Sequence, residues 1–281
     1  MRLENNSENK FADLHLHTSF SDGNLSPLDL MKKAKNAGLK CISIVDHDIV
    51  EATEEASKLG REFEIEVIPG VELSTTVDNL DIHIIGYFID YKDKTFLDYL
   101  NLFREERLKR AERIVNKLNK LKVPLKIESV LAQNTTGSIG RPHIANALVE
   151  EGLIRNYQAA FDQYIRNGGP AYESKYTVTP AEAISLINKA GGLSFIAHPN
   201  YIKDEKIFSD LINQGIDGIE VVHPSHSRET VEYLKKIASE YFLLTSGGSD
   251  YHGGLKNDEK SFGTFTIPYK MVKAMKQHLF M

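Results

Sequence analysis

The sequence predicts an α/β protein: a barrel-like array of strand–helix units carrying one helical insert. Three observations carry that expectation. A pattern of hydroxyl cap, proline, helix, glycine, apolar strand and terminal histidine occurs twice, from Ser26 to His47 and from Thr179 to His198. Other apolar strand patterns also end in polar side chains, which gathers chemistry at one edge of a sheet. Between these units, residues 96–174 read as helices alone. The expected division is a discontinuous barrel domain, 1–95 with 175–281, and a helical cap domain, 96–174.

In chain order, Phe11 to Leu16 alternates as a strand and puts Asp13, His15 and His17 on one side, with Leu14 and Leu16 on the other. Two imidazoles at one strand edge repel when protonated, and a metal ion holds them cheaply as neutral rings. The bland alternative for this pair alone is coincidence. Ser21-Asp22-Gly23 is a turn that can swing a carboxylate over the strand end. Ser26-Pro27-Leu28-Asp29 opens a helix that Gly38 ends. Leu39 to Val45 is a buried strand delivering Asp46-His47-Asp48, and a helix runs from about Val50 to Arg61. A strand from Ile65 to Ile68, punctuated by Pro69-Gly70, precedes Val71 to Ser74 with Glu72, and Asp81 to Phe88 carries His83. The sheet is expected to be mainly parallel.

Leu97 to Leu121 is one long charged helical pattern, followed by helices at Ile127–Leu131, Pro142–Glu151 and Tyr157–Asn167. Thr179-Pro180-Ala181-Glu182 then restarts the first pattern, and Leu193 to Ala197 delivers His198. A helix at Ile207–Gln214 and a strand at Ile219–Val222 lead to His223 and His226 in a loop. After a helix at Glu229–Tyr241, the strand Phe242–Thr245 ends in Ser246-Gly247-Gly248-Ser249-Asp250-Tyr251-His252. Phe262 to Ile267 reads as a late strand and Tyr269 to Gln277 as a terminal helix.

Composition narrows the class. In 281 residues the hydrophobic fraction is 41%, enough for a well-cored fold. The formal net charge of -5, from 34 basic and 39 acidic residues, argues against a broad basic surface for duplex DNA. The single cysteine, Cys41, excludes an internal disulfide and a thiolate cluster, and its strand setting marks it as a core residue. No stretch reaches membrane-spanning length. Met1–Lys10 is polar and lacks the apolar run of a signal peptide, so a cytoplasmic enzyme is expected.

Six imidazoles and three carboxylates fall at or near strand ends: His15, His17, Asp22, His47, Glu72, His83, His198, Asp250 and His252. One zinc ion wants about four ligands, so this set suits two or three divalent ions with Glu72 or a hydroxide bridging. Such clusters activate water and clamp phosphoryl oxygens. All-N/O ligation rich in imidazole favours Zn, Mn or Fe over Mg. His83, inside an apolar strand, is the member most open to a core role. His226 and His278 read as surface residues.

These motifs, His15-x-His17, Asp22, Asp46-His47-Asp48, Gly70-x-Glu72, His83, His198-Pro199 and Asp250-x-His252, together resemble the PHP (polymerase and histidinol phosphatase) family. The resemblance covers about the first 100 residues and everything after about Thr177. It implies a distorted (β/α)7 TIM-like barrel with its cluster at the C-terminal strand ends. It implies one ion on His15, His17, Glu72 and Asp250, a second on Glu72, His83 and His198, and a third on Asp22, His47 and His252. None of the family's ligands is missing.

The segment Ile139-Gly140-Arg141-Pro142-His143-Ile144-Ala145 places a guanidinium at a helix N-terminus, an anion site by chemistry. The alternative is a surface arginine capping its neighbours. The segment resembles the insert of the PHP subgroup that dephosphorylates nucleoside 3′,5′-bisphosphates and includes RNase AM-like enzymes trimming short RNAs. That resemblance implies a phosphoesterase for a small nucleotide or short RNA. A hydroxide bridging the ions would attack phosphorus, with Glu72 as ligand and Asp250 passing a proton. Arg141, with His143 or His223, would hold phosphate oxygens. A histidinol-phosphate or other small-molecule phosphatase is the runner-up. A non-catalytic, metal-stabilised nucleic-acid-binding module and a C–N hydrolase are the readings from other classes. The sequence leaves oligomeric state open.

Overall fold

The computed structural model describes residues 11–77, 80–133, 138–202 and 205–280. The leader Met1–Lys10 lies outside these residues. The chain runs β1 (Phe11–Leu16), α1 (Pro27–Asn36), β2 (Cys41–Ile44), α2 (Ala52–Phe63), β3 (Glu66–Val77) and β4 (Leu80–Tyr87). The insert contributes α3 (Lys94–Lys120), α4 (Ile127–Leu131), α5 (Arg141–Glu150) and α6 (Tyr157–Ala160), the last continuing into a π-helical turn, Phe161–Ile165. Then follow α7 (Pro180–Lys189), β5 (Leu193–Ile196), α8 (Glu205–Asn213), β6 (Gly218–Val222), α9 (Arg228–Glu240), β7 (Leu244–Gly247), β8 (Ile267–Pro268) and α10 (Tyr269–His278).

The repeated start signals work as side-chain caps. Ser26 Oγ accepts the Asp29 amide at 3.2 Å, and Pro27 occupies the first turn, where its missing N–H costs nothing. Thr179 and Glu182 form a reciprocal box: Thr179 Oγ1 accepts the Glu182 amide at 3.3 Å while the Glu182 carboxylate takes the Thr179 amide at 2.7 Å. The helices so started lay Leu30, Met31 and Ala34, or Ala183, Ile184 and Ile187, against buried strands such as Cys41–Ile44 and Leu193–Ile196.

One eight-stranded sheet has the order β7-β6-β5-β4-β3-β2-β1-β8 and curls into a nearly closed barrel. The seam forms where β7 runs out onto β1. Ser249 donates its amide to Asp13 Oδ1 at 2.9 Å, His17 donates its own to Tyr251 O at 3.0 Å, and Leu16 and Tyr251 bridge in parallel. Gly248 lies directly on β1, where a Cβ would come within 2.4 Å of the His15 nitrogen.

Three expectations need correction. The sheet is mixed rather than mainly parallel: β3–β4, β4–β5 and β1–β8 pair antiparallel. Only two residues separate β3 from β4, too few for the crossover that a parallel pair needs. Pro69-Gly70 does not divide the strand. β3 runs through it, leaving its parallel partner β2 after Pro69 and taking up its antiparallel partner β4 from Gly70. The late strand Phe262–Ile267 shrinks to Ile267–Pro268, because Thr264 and Phe265 both donate to Ser261 O in a turn with Gly263 at φ +72°. Phe262 packs on Tyr251 with ring centroids 4.9 Å apart, so its apolar character serves packing and not strand alternation.

Helix α3 joins the two bodies. Phe96, Leu100 and Phe103 pack in the barrel's core, while Ala111, Ile114, Val115 and Leu118 belong to a separate core with α4, α5 and α6. No helix among the described residues is long and apolar enough to cross a membrane. Cys41 is fully buried.

The seam yields a test of the fold. Gly248→Ala should cost about 1–3 kcal/mol in chemical denaturation and weaken divalent-metal binding, because the added methyl must push β7 off the strand carrying His15. An alanine variant with unchanged stability and metal affinity would show the seam to be adaptable.

Candidate metal centre

All nine predicted side chains converge at one end of the barrel, and His15 on β1 and His17 just beyond it are fully buried. Alternation along β1 aims both rings inward, where Nε2 of His15 lies 3.2 Å from Nε2 of His17. Glu72 enters from the point where β3 changes partners, and Asp250 from the turn beyond β7. His15 Nε2 stands 3.3 Å from Glu72 Oε2 and 3.2 Å from Asp250 Oδ1, and His17 Nε2 stands 3.3 and 3.1 Å from the same oxygens. A tetrahedral ion with ligands at ~2.0 Å needs donor–donor edges of about 3.3 Å, which these distances match.

The other oxygen of Glu72 faces a second pair: Oε1 lies 2.8 Å from His83 Nδ1 and 3.0 Å from His198 Nε2. One carboxylate thus has imidazoles on both of its oxygens. A third group surrounds Asp22 Oδ1, with His252 Nε2 at 3.2 Å and His47 Nε2 at 3.9 Å. His47 belongs to two groups, since its Nδ1 also lies 3.2 Å from Glu72 Oε2. The ammonium of Lys256 caps the third group, 2.6 Å from His252 Nε2 and 3.5 Å from Asp22 Oδ2.

The donor set fits divalent cations. His17 Nδ1 is buried with no hydrogen-bond partner, a costly state for a ring nitrogen unless a cation takes it, and His47 Nδ1, though 3.2 Å from Glu72 Oε2, makes no aligned hydrogen bond. Burial pulls His17 down, yet Asp250 and Glu72 outweigh it and hold its pKa up at about 9. Burial likewise opposes charge on His15, but Glu220, Asp250 and Glu72 raise it well above the usual value. A metal entering here must displace these protons. For Glu72 burial is overcome by His47, His83 and His15, which keep its carboxyl well below the ordinary range.

Behind the donors stands a shell that the sequence reading missed. Glu220, fully buried on β6, holds His15 Nδ1 at 2.9 Å and takes the His198 amide at 2.7 Å. Asp46 accepts Thr18 N at 2.8 Å and also the Thr18 and Ser21 hydroxyls, fixing the loop that carries Asp22. Asp258 accepts the His252 and Gly254 amides. Asp13, whose pKa burial pushes up to about 7, closes the barrel seam. A glutamate inside Ile219-Glu220-Val221-Val222 was the available signal, because a charged residue in a buried strand requires a partner. The backbone is also held in the left-handed region at Asp48 (φ 55°), His198 (φ 29°) and Asp250 (φ 49°). Such strain persists where surrounding contacts over-determine it.

The insert lies over this centre. A cavity of about 530 Å³ between them is lined by Asp22 and His47 on the barrel side and by Ser138, Gly140 and Arg141 on the insert side. Arg141 donates through Nη1 to Ile165 O at 3.1 Å and Asn167 Oδ1 at 2.6 Å, between the rings of Phe161 and Tyr172. His143 has a different job from the expected phosphate contact. It is buried, its Nδ1 accepts the Gly140 amide at 2.9 Å, and its ring bonds the Ser21 backbone, so it ties the insert to the loop carrying Asp22. His223 stands beside the cluster, with Nε2 3.3 Å from Asp250 Oδ2. Arg107, which charge patterning alone did not single out, pairs with Asp48 and reaches Ser74 Oγ at 3.2 Å.

A family model of the PHP domain matches residues 13–165, which takes in the first four strands and most of the insert. The chain belongs to the PHP family. A 5′-3′ exoribonuclease of Haemophilus influenzae is 33% identical over 250 residues, 86% of this chain and 90% of that protein. A 3′,5′-nucleoside bisphosphate phosphatase of Chromobacterium violaceum is 29% identical over 246 residues, 85% of this chain and 86% of that protein. The crystal structure of a Bifidobacterium adolescentis protein named for metal-dependent phosphoesterase activity superposes with a TM-score of 0.86 at 29% identity, over 95% of this chain and 96% of that one. This PHP protein is a metal-dependent phosphoesterase, a hydrolase of phosphate esters.

The Glu220 support can be tested directly. Glu220→Gln keeps the shape but loses the charge that orients His15, and should lower metal affinity about 10- to 100-fold in chelator competition while the protein stays folded. Unchanged affinity would relegate Glu220 to packing.

Proposed function

We propose that this PHP phosphoesterase hydrolyses nucleotide-sized phosphate esters that carry a second phosphate, namely nucleoside 3′,5′-bisphosphates or the 5′ ends of short oligoribonucleotides. The observation that carries the reading is the composition of the cavity over the metal centre. Arg107, Arg110, Arg141, Arg166, Lys175 and Lys256 line it against only Asp22 and Asp162, in a chain whose net charge is -5. Tyr157 and Phe161 add aromatic faces on which a base can stack. A ligand with a second phosphate and a large flat base matches that lining better than histidinol phosphate, which has one phosphate, a small imidazole and a cationic amine. The named activities of the Haemophilus and Chromobacterium relatives support the same reading.

Two or three divalent ions, of Zn, Mn or Fe type, would be held by His15, His17, Glu72 and Asp250, by Glu72, His83 and His198, and by Asp22, His47 and His252. The third must compete with the ammonium of Lys256. When bound, such ions supply Lewis acidity and lower the pKa of water. The protein's own groups do the rest. Burial opposes charge on Asp250, but His15 and His252 hold its carboxyl well below the usual range, so it stays ionised as a donor to a cation. His223, 3.3 Å from Asp250 Oδ2, is placed to give a proton to a departing oxygen. Arg141 faces the cavity with a fork suited to phosphate oxygens.

A specific feature favours a short RNA as a further substrate. A second trough, lined by Asn146, Asn156, Leu255 and Asn257, shares Tyr157, Gln158 and Lys256 with the cavity. A following nucleotide has a continuous path there.

A panel of adenosine 3′,5′-bisphosphate, a 5′-phosphorylated oligoribonucleotide, histidinol phosphate, p-nitrophenyl phosphate and an amide tests the reading. Preference for histidinol phosphate or the amide would overturn it. Arg141→Ala should retain metal yet lose about 10- to 1000-fold in kcat/KM on the bisphosphate, and less on p-nitrophenyl phosphate. Equal losses on both would put Arg141 on the phosphate being cleaved.

A further inference from the structure

The third donor group, Asp22, His47 and His252, has a cation of the chain's own against it. Neighbours fix the roles of the two nitrogens of His252. Its Nδ1 lies 2.6 Å from the carbonyl oxygen of Asp250, which can only accept, so Nδ1 carries the proton. Nε2 is therefore a bare acceptor with one lone pair, on the side of Asp22 Oδ1 at 3.2 Å. The Lys256 ammonium lies 2.6 Å from that same nitrogen and 3.5 Å from Asp22 Oδ2. An ammonium has donors and no acceptor, so it takes the lone pair that a metal ion would need. One lone pair cannot serve both.

Charge and spacing at this group suit a lysine. Asp22 is its one carboxylate, and one ammonium balances it. The first group instead sets two carboxylates, Glu72 and Asp250, against His15. The donors around Asp22 also stand wider apart. His47 Nε2 and His17 Nδ1 lie 3.9 and 3.8 Å from Asp22 Oδ1, beyond the edge of about 3.3 Å that a tetrahedral ion needs.

Lys256 reaches in from an exposed loop and can leave by the same route. Asn257 donates its amide to Gly254 O at 3.3 Å, so Leu255 and Lys256 form the tip of a turn. Gly253 and Gly254, with φ of 76° and 88°, supply the left-handed backbone that leads into it. Asp258 accepts the His252 and Gly254 amides and pins the base of the loop beside the donor. The Lys256 side chain is 43% exposed and lines both the cavity and the neighbouring trough. Its ammonium can therefore swing away while His252 stays in place.

We infer that Lys256 is the resident cation of the third donor group, so that the chain holds two divalent ions tightly and admits a third only where Lys256 gives up His252. The inference rests on the metal-centre reading above and decides between its two-ion and three-ion forms. The third positive charge of the centre is then built into the chain and does not depend on metal supply.

Metal binding reads this without any substrate. The purified full chain is dialysed against buffers of rising free manganese, and bound metal is measured by elemental analysis. Wild type should hold two ions at low manganese and take a third only at concentrations at least about 30-fold higher. Lys256→Met keeps most of the stem but removes the charge, and it should tighten the third ion about 10- to 100-fold while leaving the first two within about twofold. Wild-type crystals soaked in manganese need no variant. At low concentration, anomalous peaks should flank Glu72 alone, with Lys256 on His252. At high concentration a peak should appear beside Asp22, with Lys256 Nζ out of hydrogen-bond reach of His252 Nε2. Three ions of equal affinity in wild type would overturn the inference and leave the metal reading standing. So would an unchanged third affinity in a folded Lys256→Met, or a third peak with Lys256 still on His252 Nε2. A wild type that binds fewer than two ions would overturn the metal reading itself, and the inference with it.

Discussion

A single carboxylate, Glu72, sits where everything else must meet. It is fully buried, yet five imidazoles from four separate elements or loops stand within 3.3 Å of its two oxygens. Burying one charge alone is prohibitive, and removing one partner from such a buried set costs about 3–5 kcal/mol. The barrel is therefore constrained to bring β1, the loop after β2, β4 and the turn after β5 to this one point. The change of partner along β3 is the device that does so. It lets one strand serve β2 on its first half and β4 on its second, and it places Glu72 just after the switch.

Function follows from the separation of tasks around that point. The barrel supplies donors whose backbone is held in unfavourable conformations at His198 and Asp250, and a second layer of carboxylates fixes their orientation. None of these candidate donors comes from the described residues of the insert. The insert supplies cations, aromatic rings and His143, which ties the layer down onto the Asp22 loop. The donor side chains thus stand on the sheet and its edge loops, and many of the cations and aromatic rings of the cavity on a layer with its own apolar core.

Much of this was legible in the sequence, and the rest was hidden for physical reasons. Strand alternation placed His15 and His17 on one side, and the caps at Ser26 and Thr179 marked helices that the structure forms. These are local signals, read within a turn or a strand. The antiparallel pairing of β4 with β5 was not legible, because that partner lies far along the chain, whereas its pairing with β3 follows from the short connection between them. Phe262 misled because aromatic packing on Tyr251 imitates strand alternation. Arg110 was one of several arginines on a charged helix, and only the folded structure shows that its outer edge is buried without a partner. His143 looked like a ligand-binding group by its position beside Arg141, but its ring nitrogens are spent on backbone.

The central claim is that Glu72 divides its two oxygens between two ions. Anomalous scattering from crystals loaded with zinc or manganese tests it most directly. Two peaks should flank Glu72, each at ~2.0–2.2 Å from one of its oxygens. One should have His15, His17 and Asp250 around it, and the other His83 and His198. A single peak bound to only one Glu72 oxygen, or ions held by histidines with Glu72 outside their reach, would contradict it.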